Sequence, residues 1–151
     1  MTTTFHELLK IGQTYEDKCK VLICKLNKVS VIEEQTKNNY KYIHYDFKTS
    51  DGISYEIKAD FMSDKTNNFF IEYEGYSKPS GILITDASFH ILINCNNFYM
   101  IETSIIKEMI KKGKYRAVLT NNFTKGFLIP KNDIVKYSLN INALEIKEIK
   151  K

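Results

Sequence analysis

Seven residues constrain this chain most. From Ile53 to Ala59, Ile53, Tyr55, Ile57 and Ala59 alternate with Ser54, Glu56 and Lys58. A period of two over that length reads as a strand with one apolar face and one polar face. A strand needs partners, and the chain supplies further strand-like stretches. These are Val29 to Glu34, Lys41 to Phe47, Phe69 to Glu74, Phe89 to Ile93 and Phe98 to Glu102. They are rich in Tyr, Ile, Val and Phe, and turn clusters punctuate them: Lys37-Asn38-Asn39, Ser50-Asp51-Gly52, Asp64-Lys65-Thr66-Asn67-Asn68 and Asn94-Cys95-Asn96-Asn97. Gly126 to Pro130 reads as a strand end, and Asn140 to Ile149 as a strand or a frayed helix.

Two segments carry the helical period instead. Tyr15, Cys19, Leu22, Ile23 and Leu26 predict an amphipathic helix from Thr14 to about Leu26, with Gly12 marking a break or bend before it. Thr4 and Thr14 each precede a carboxylate by three residues, the capping-box spacing of a helix start. Ile105, Ile106, Met109 and Ile110 predict a second helix from Thr103 through Lys112, stopped at Gly113. Helix, strand meander, helix and further strands predict an α/β or α+β fold with a central mixed sheet flanked by helices. No repeat or linker interrupts the chain, so residues 1–151 read as one domain.

With 43% hydrophobic residues, 6 Gly and 2 Pro, collagen-like and disordered classes are excluded. Apolar runs such as Ile82-Leu83-Ile84 and Ile91-Leu92-Ile93 are far too short for a bilayer. The first residues lack the basic and apolar regions of a secretion signal, so a cytoplasmic protein is expected, without membrane contact. Cys19, Cys24 and Cys95 are an odd set without zinc-ligand spacing and read as reduced thiols. The net charge of +4 suits a polyanionic partner without demanding one.

The turn before the alternating strand decides where its polar face looks. A two-residue Asp51-Gly52 loop would pair Phe47 with Glu56 and send Asp46 to the wrong side. A three-residue Ser50-Asp51-Gly52 loop pairs Asp46 with Glu56 and His44 with Lys58. That loop is favoured, because Gly52 then occupies its left-handed position. Two facing carboxylates repel, and a hard divalent cation between them removes the repulsion. Mg²⁺ prefers carboxylate oxygen and keeps waters for phosphate chemistry, and Lys58 adds a positive charge beside it. The spacing alone is common. An acid two residues before a lysine recurs at Glu16/Lys18, Asp46/Lys48, Glu145/Lys147 and Glu148/Lys150, mostly as solvated surface.

In this context the chain resembles the PD-(D/E)XK nuclease superfamily, with its restriction-endonuclease-like fold. The pattern maps onto a helical Glu in Gly12-Gln13-Thr14-Tyr15-Glu16, onto Asp46, and onto Glu56-Ile57-Lys58. The similarity continues into Ala59-Asp60, Thr66 to Glu72 and Lys78-Pro79-Ser80-Gly81-Ile82, features of small phage- and virus-type members. Ala59 stands where Thr is expected, Asn67 where Gly is expected, and Tyr45 replaces the proline. The resemblance implies that Asp46, Glu56 and the Ile57 carbonyl ligate Mg²⁺, with Mn²⁺ able to substitute. Lys58 orients or activates water, and Glu16 serves as an outer or second-metal carboxylate. The implied activity is endonucleolytic hydrolysis of DNA, branched or junction DNA included, in the host cytoplasm for a viral protein. A junction resolvase would be a two-fold homodimer.

Other readings compete at each position. Asp46, Glu56 and Lys58 fit an exposed charged sheet face, and Glu16 fits a capping role. Glu72 either faces the same cleft or is solvated, and Asp60 is a strand-end or turn residue. His44 reads as a sheet-surface imidazole or a neighbour of Lys58, and His6 and His90 read as structural. Backbone N–H groups in the turn holding Lys78 and Ser80 are able to meet a phosphate, although a plain turn explains it too. Lys107, Lys111, Lys112 and Lys114 either complement a helix dipole or contact a DNA backbone. The competing function is a non-catalytic nucleic-acid-binding or virion-assembly module on the same fold.

Overall fold

The computed structural model describes residues 5–34, 44–60, 62–94 and 97–141. Several sequence expectations lie outside these residues: Thr4 as a cap, the Lys37-Asn38-Asn39 turn, the start of the Lys41 to Phe47 strand, Cys95, and the tail from residue 142. Helix α1 spans Phe5–Asn27, followed by strands β1 (Val31–Glu34), β2 (Phe47–Thr49) and β3 (Ser54–Ala59). A helical turn α2 (Ser63–Thr66) leads to β4 (Asn68–Gly75), β5 (Lys78–Pro79) and a 3-10 turn at Gly81–Leu83. Then come β6 (Phe89–Asn94), β7 (Asn97–Glu102), α3 (Thr103–Lys112), β8 (Arg116–Leu119), β9 (Thr124–Pro130), α4 (Lys131–Lys136) and β10 (Leu139–Asn140).

The arrangement is α/β with a mixed central sheet. Its six strands run in the order β1-β2-β3-β6-β7-β10, with β3 and β6 parallel and the other neighbours antiparallel. Parallel neighbours need a crossover connection. Here the crossover from β3 to β6 builds β4 and β5, which join β8 and β9 in a second, antiparallel sheet of order β5-β4-β9-β8. The sequence predicts a sheet flanked by helices, and this second sheet is an addition to that arrangement. Phe69 and Ile71 alternate as the buried residues of β4, so that strand has one apolar face to bury against the central sheet.

Alternation along β6 separates two cores. Ile91 and Ile93 meet Cys19, Leu22 and Ile23 of α1 together with Phe47, Tyr55 and Phe98. Leu92 points the other way and joins Tyr99, Ile101, Phe69, Ile71 and Ile129. Tyr55 stacks between Phe47 and Phe89, with ring centroids 4.9 and 5.8 Å away, and so ties β2, β3 and β6 together. Helix α1 runs unbroken through Gly12 and Thr14, contrary to the predicted break and to the predicted helix start at Thr14. An interior glycine costs only about 0.5–1 kcal/mol relative to alanine, less than the apolar stripe of this helix recovers by burial. Cys19 and Cys24 are free thiols, and burial pushes the Cys19 thiol up to about 12. No helix among the described residues is long and apolar enough to cross a membrane.

Asp60 fastens the end of β3 to the start of β4. Its carboxylate accepts the Phe70 N–H at 2.8 Å and the Ser63 N–H at 3.1 Å, the structural role expected for it. Asp60→Ala leaves both donors without that acceptor. A loss of about 1–3 kcal/mol is expected, read as a lower urea midpoint.

Candidate active site

The β2–β3 hairpin closes as the glycine position predicts. Phe47 pairs with Tyr55 and Lys48 with Ser54, and the Thr49 N–H bonds the Ile53 carbonyl at 2.9 Å. Residues 50–52 are therefore the loop, and Gly52 takes a φ of 85°. Beyond Phe47 the strand gives way. His44, Tyr45 and Asp46 form a bend rather than the predicted strand, and all three line one cavity. The Asp46 N–H bonds the Tyr55 carbonyl at 2.9 Å, and the Asp46 carboxylate accepts the Ile57 N–H at 2.6 Å. A carboxylate thus takes the place of a missing backbone partner at the exposed flank of β3.

This bend opens the site. An N–H and C=O of one strand residue point to the same side, so the Ile57 carbonyl faces the flank where Asp46 sits. Glu56 and Lys58 project from the face opposite α1, and their ions meet at 3.4 Å. Asp46, Glu56 and Lys58 line one cavity of about 310 Å³ with Glu72, Ser80 and His90. The two acids therefore line one cavity, but the bend places Asp46 there, in place of the predicted cross-strand pairing of Asp46 with Glu56 and of His44 with Lys58.

Burial shapes the electrostatics. The Glu56 carboxyl is pushed up to about 7 by its burial first and by Asp46 next, against the pull of Lys58. Burial also raises Asp46, opposed by the Ile57 N–H and by Lys58. For Lys58 burial alone lowers the pKa, but Glu56 and Asp46 outweigh it and hold the ammonium above its usual range. Glu16 comes from α1 on the other side of the sheet and does not line the cavity. Burial raises its pKa, and the next cause is the Asp46 charge, which places Glu16 in electrostatic range of the site. It also pairs with Lys20 at 3.5 Å.

The remaining predicted residues divide. Ser80 lines the cavity and donates to Glu72 Oε2 at 2.8 Å, which brings Glu72 into the cleft. Lys78 is exposed on β5, outside the cavity lining. Lys111 and Lys112 stand exposed in the last turn of α3, and Lys112 pairs with Glu108 at 3.2 Å. Neither lines the cavity, so the geometry does not join them to the acids.

His90, a structural residue in the sequence reading, lies opposite Glu56 in the parallel β3–β6 register and also lines the cavity. Its Nδ1 pairs with Thr103 Oγ1 at 2.8 Å. Burial, with Lys58 and Lys107 adding to it, lowers its pKa to about 3, so the ring is neutral. No local spacing announces it, because β3 and β6 are more than thirty residues apart.

No three His, Cys, Asp or Glu side chains among the described residues stand in a metal-ligand arrangement. The donor set that is present comprises two half-buried carboxylates and a backbone carbonyl. Such a set fits Mg²⁺, which takes one or two carboxylates and keeps its waters.

Gly81 holds the cavity rim. Its φ is 53°, and an added Cβ would overlap the Glu72 carbonyl. Gly81→Ala is expected to cost about 1–3 kcal/mol from backbone strain, with a lower unfolding midpoint. An unchanged midpoint would show that this rim adapts freely.

A scan against protein-family models finds no match for the chain, and a search of curated proteins finds none significantly similar to it.

Proposed function

We propose that this chain is a Mg²⁺-dependent nuclease of the PD-(D/E)XK type, with a restriction-endonuclease-like core, acting on DNA. The observation that carries the reading is the meeting of Asp46, Glu56 and Lys58 in one cavity, with the Ile57 backbone turned to the same flank. Two desolvated carboxylates side by side are costly without a cation. Their raised pKa values express that cost.

In this reading Asp46, Glu56 and the Ile57 carbonyl hold the ion. When bound, Mg²⁺ supplies charge neutralisation on the scissile phosphate and a more acidic water. Asp46 keeps one oxygen on the Ile57 N–H, which fixes the orientation of the other. Lys58, about half exposed at 48% while Glu56 is only 19% exposed, has reach toward an incoming phosphate. It orients the attacking water or offsets charge on the transferring group. Glu16 acts through Asp46, as a further negative charge behind it.

The test is incubation with duplex, single-stranded and four-way-junction DNA, in Mg²⁺ or Mn²⁺ against EDTA. Metal-dependent cutting supports the reading. A folded protein that cuts none of them, and binds nucleic acid indifferently to Glu56→Ala, would falsify it in favour of a non-catalytic binding module. Cutting confined to junctions, with a dimer in sedimentation, identifies a resolvase.

A further inference from the structure

Two hairpin tips at the far end of the second sheet carry aromatic residues where turn chemistry asks for small ones. Between β4 and β5, Gly75 pairs with Lys78, leaving the two-residue loop Tyr76-Ser77 with φ values of 51° and 63°. Two positive φ angles in such a loop define the turn that favours Asn-Gly. Between β8 and β9, the Thr120 N–H bonds the Thr124 carbonyl at 2.8 Å, leaving the three-residue loop 121–123. Phe123 takes its left-handed position, with a φ of 58°. Ser50-Asp51-Gly52 is the same kind of loop in this chain, and there the equivalent position is a glycine.

Both aromatics are exposed, Tyr76 at 73% and Phe123 at 66%. Their rings lie 6.0 Å apart at an interplanar angle of 32°, and the Tyr76 N–H bonds the Phe123 carbonyl at 3.0 Å. A bulky residue with positive φ is unfavourable on its own account. Two of them, neither buried, gain nothing for the core. Strain of this kind gathers at functional sites.

We propose that Tyr76 and Phe123 form a platform on which unpaired bases of a nucleic-acid strand stack on the way to the cavity. This deepens the nuclease reading and rests on it. Continuity with the site supports the choice of occupant. Strand β4 carries Glu72 in the cavity wall and ends beside Tyr76, four residues on, about 13 Å at strand rise. The return through Lys78 leads directly to Ser80 and Gly81 on the cavity rim. Charge supports it as well. Lys78 is exposed beside the pair, and the one nearby acid of β4, Glu74, is bound to Lys125 at 3.2 Å. An exposed π-face with a neighbouring cation is how single strands are held without sequence preference.

The test uses Tyr76→Asn and Phe123→Gly, singly and together, because both substitutions relax their turns. A Tm that rises by a few degrees or stays level shows that the fold is kept. Binding is read in EDTA with a short single-stranded oligodeoxynucleotide carrying 2-aminopurine, and with a blunt duplex of the same sequence. The double variant is expected to lose about tenfold or more in single-strand affinity, with little change on the duplex. Unchanged single-strand affinity overturns the platform, even if the wild type cuts DNA. Loss of a sedimentation dimer with unchanged oligonucleotide affinity also overturns it and makes the tips an interface between copies. Reduced single-strand affinity in a protein whose wild type cuts no DNA supports the platform and sinks the nuclease reading alone.

Discussion

Glu56→Gln is expected to abolish Mg²⁺-dependent DNA cleavage, lowering the rate by about 10³-fold or more while the fold survives. The magnitude follows from the contribution of a metal-held charge at a transferring phosphate, several kcal/mol, at one decade per 1.36 kcal/mol. Glutamine keeps the volume and an acceptor for Lys58 Nζ, which lies 3.4 Å from Glu56 Oε1, so little packing is disturbed. Asp46→Asn is the matching experiment, since an amide oxygen still accepts the Ile57 N–H. Lys58→Ala should cost comparably, and the Glu56/Lys58 double variant little more than either single one, because groups acting as a unit are not additive. Single-turnover cleavage of a labelled duplex measures all four. A Glu56→Gln protein that cuts at the wild-type rate removes the acid pair from the chemistry.

The same substitution should stabilise the metal-free protein at alkaline pH. The folded Glu56 carboxyl titrates at about 7, above its usual 4.5, because burial and Asp46 disfavour the anion. Between these values the folded chain holds a proton that the unfolded chain has released. Stability therefore falls as pH rises through this window, and below it Glu56 contributes no slope. The cost at pH 8 is about 3 kcal/mol at most. Asp46 and Glu16 are shifted in the same direction and steepen the fall. Urea unfolding in EDTA should show wild type losing stability from pH 4.5 to 8, and Glu56→Gln losing much less. Parallel pH curves for the two proteins would show that Glu56 ionises as freely as in the unfolded chain.

Much of the site geometry is local and could be read from the residues. Gly52 suits the left-handed position of the favoured three-residue loop, and the structure has that loop and its register. Alternation then places Glu56 and Lys58 on one face. The α3 stripe and its stop at Gly113 were legible for the same reason, as was the structural role of Asp60. The bend at His44 to Asp46 was not. It arises because distant groups hold it, the His44 carbonyl taking the Asp86 N–H at 2.9 Å and the Thr85 hydroxyl at 3.1 Å. Lys111 and Lys112 show the converse, a basic cluster conspicuous in the sequence that the fold leaves outside the cavity lining.

Determined by the sequence alone were the strand period and the face that Glu56 and Lys58 share, since these depend on φ/ψ preferences and spacing within a few residues. Only the tertiary structure decided that β3 pairs with β6, that the crossover between them becomes a second sheet, and that His90, Glu72 and Ser80 close around the acids. Those choices rest on burying two apolar faces of one central strand against segments far away in the chain. Such burial depends on which surfaces fit together in three dimensions, and no short window of residues contains both halves of the fit.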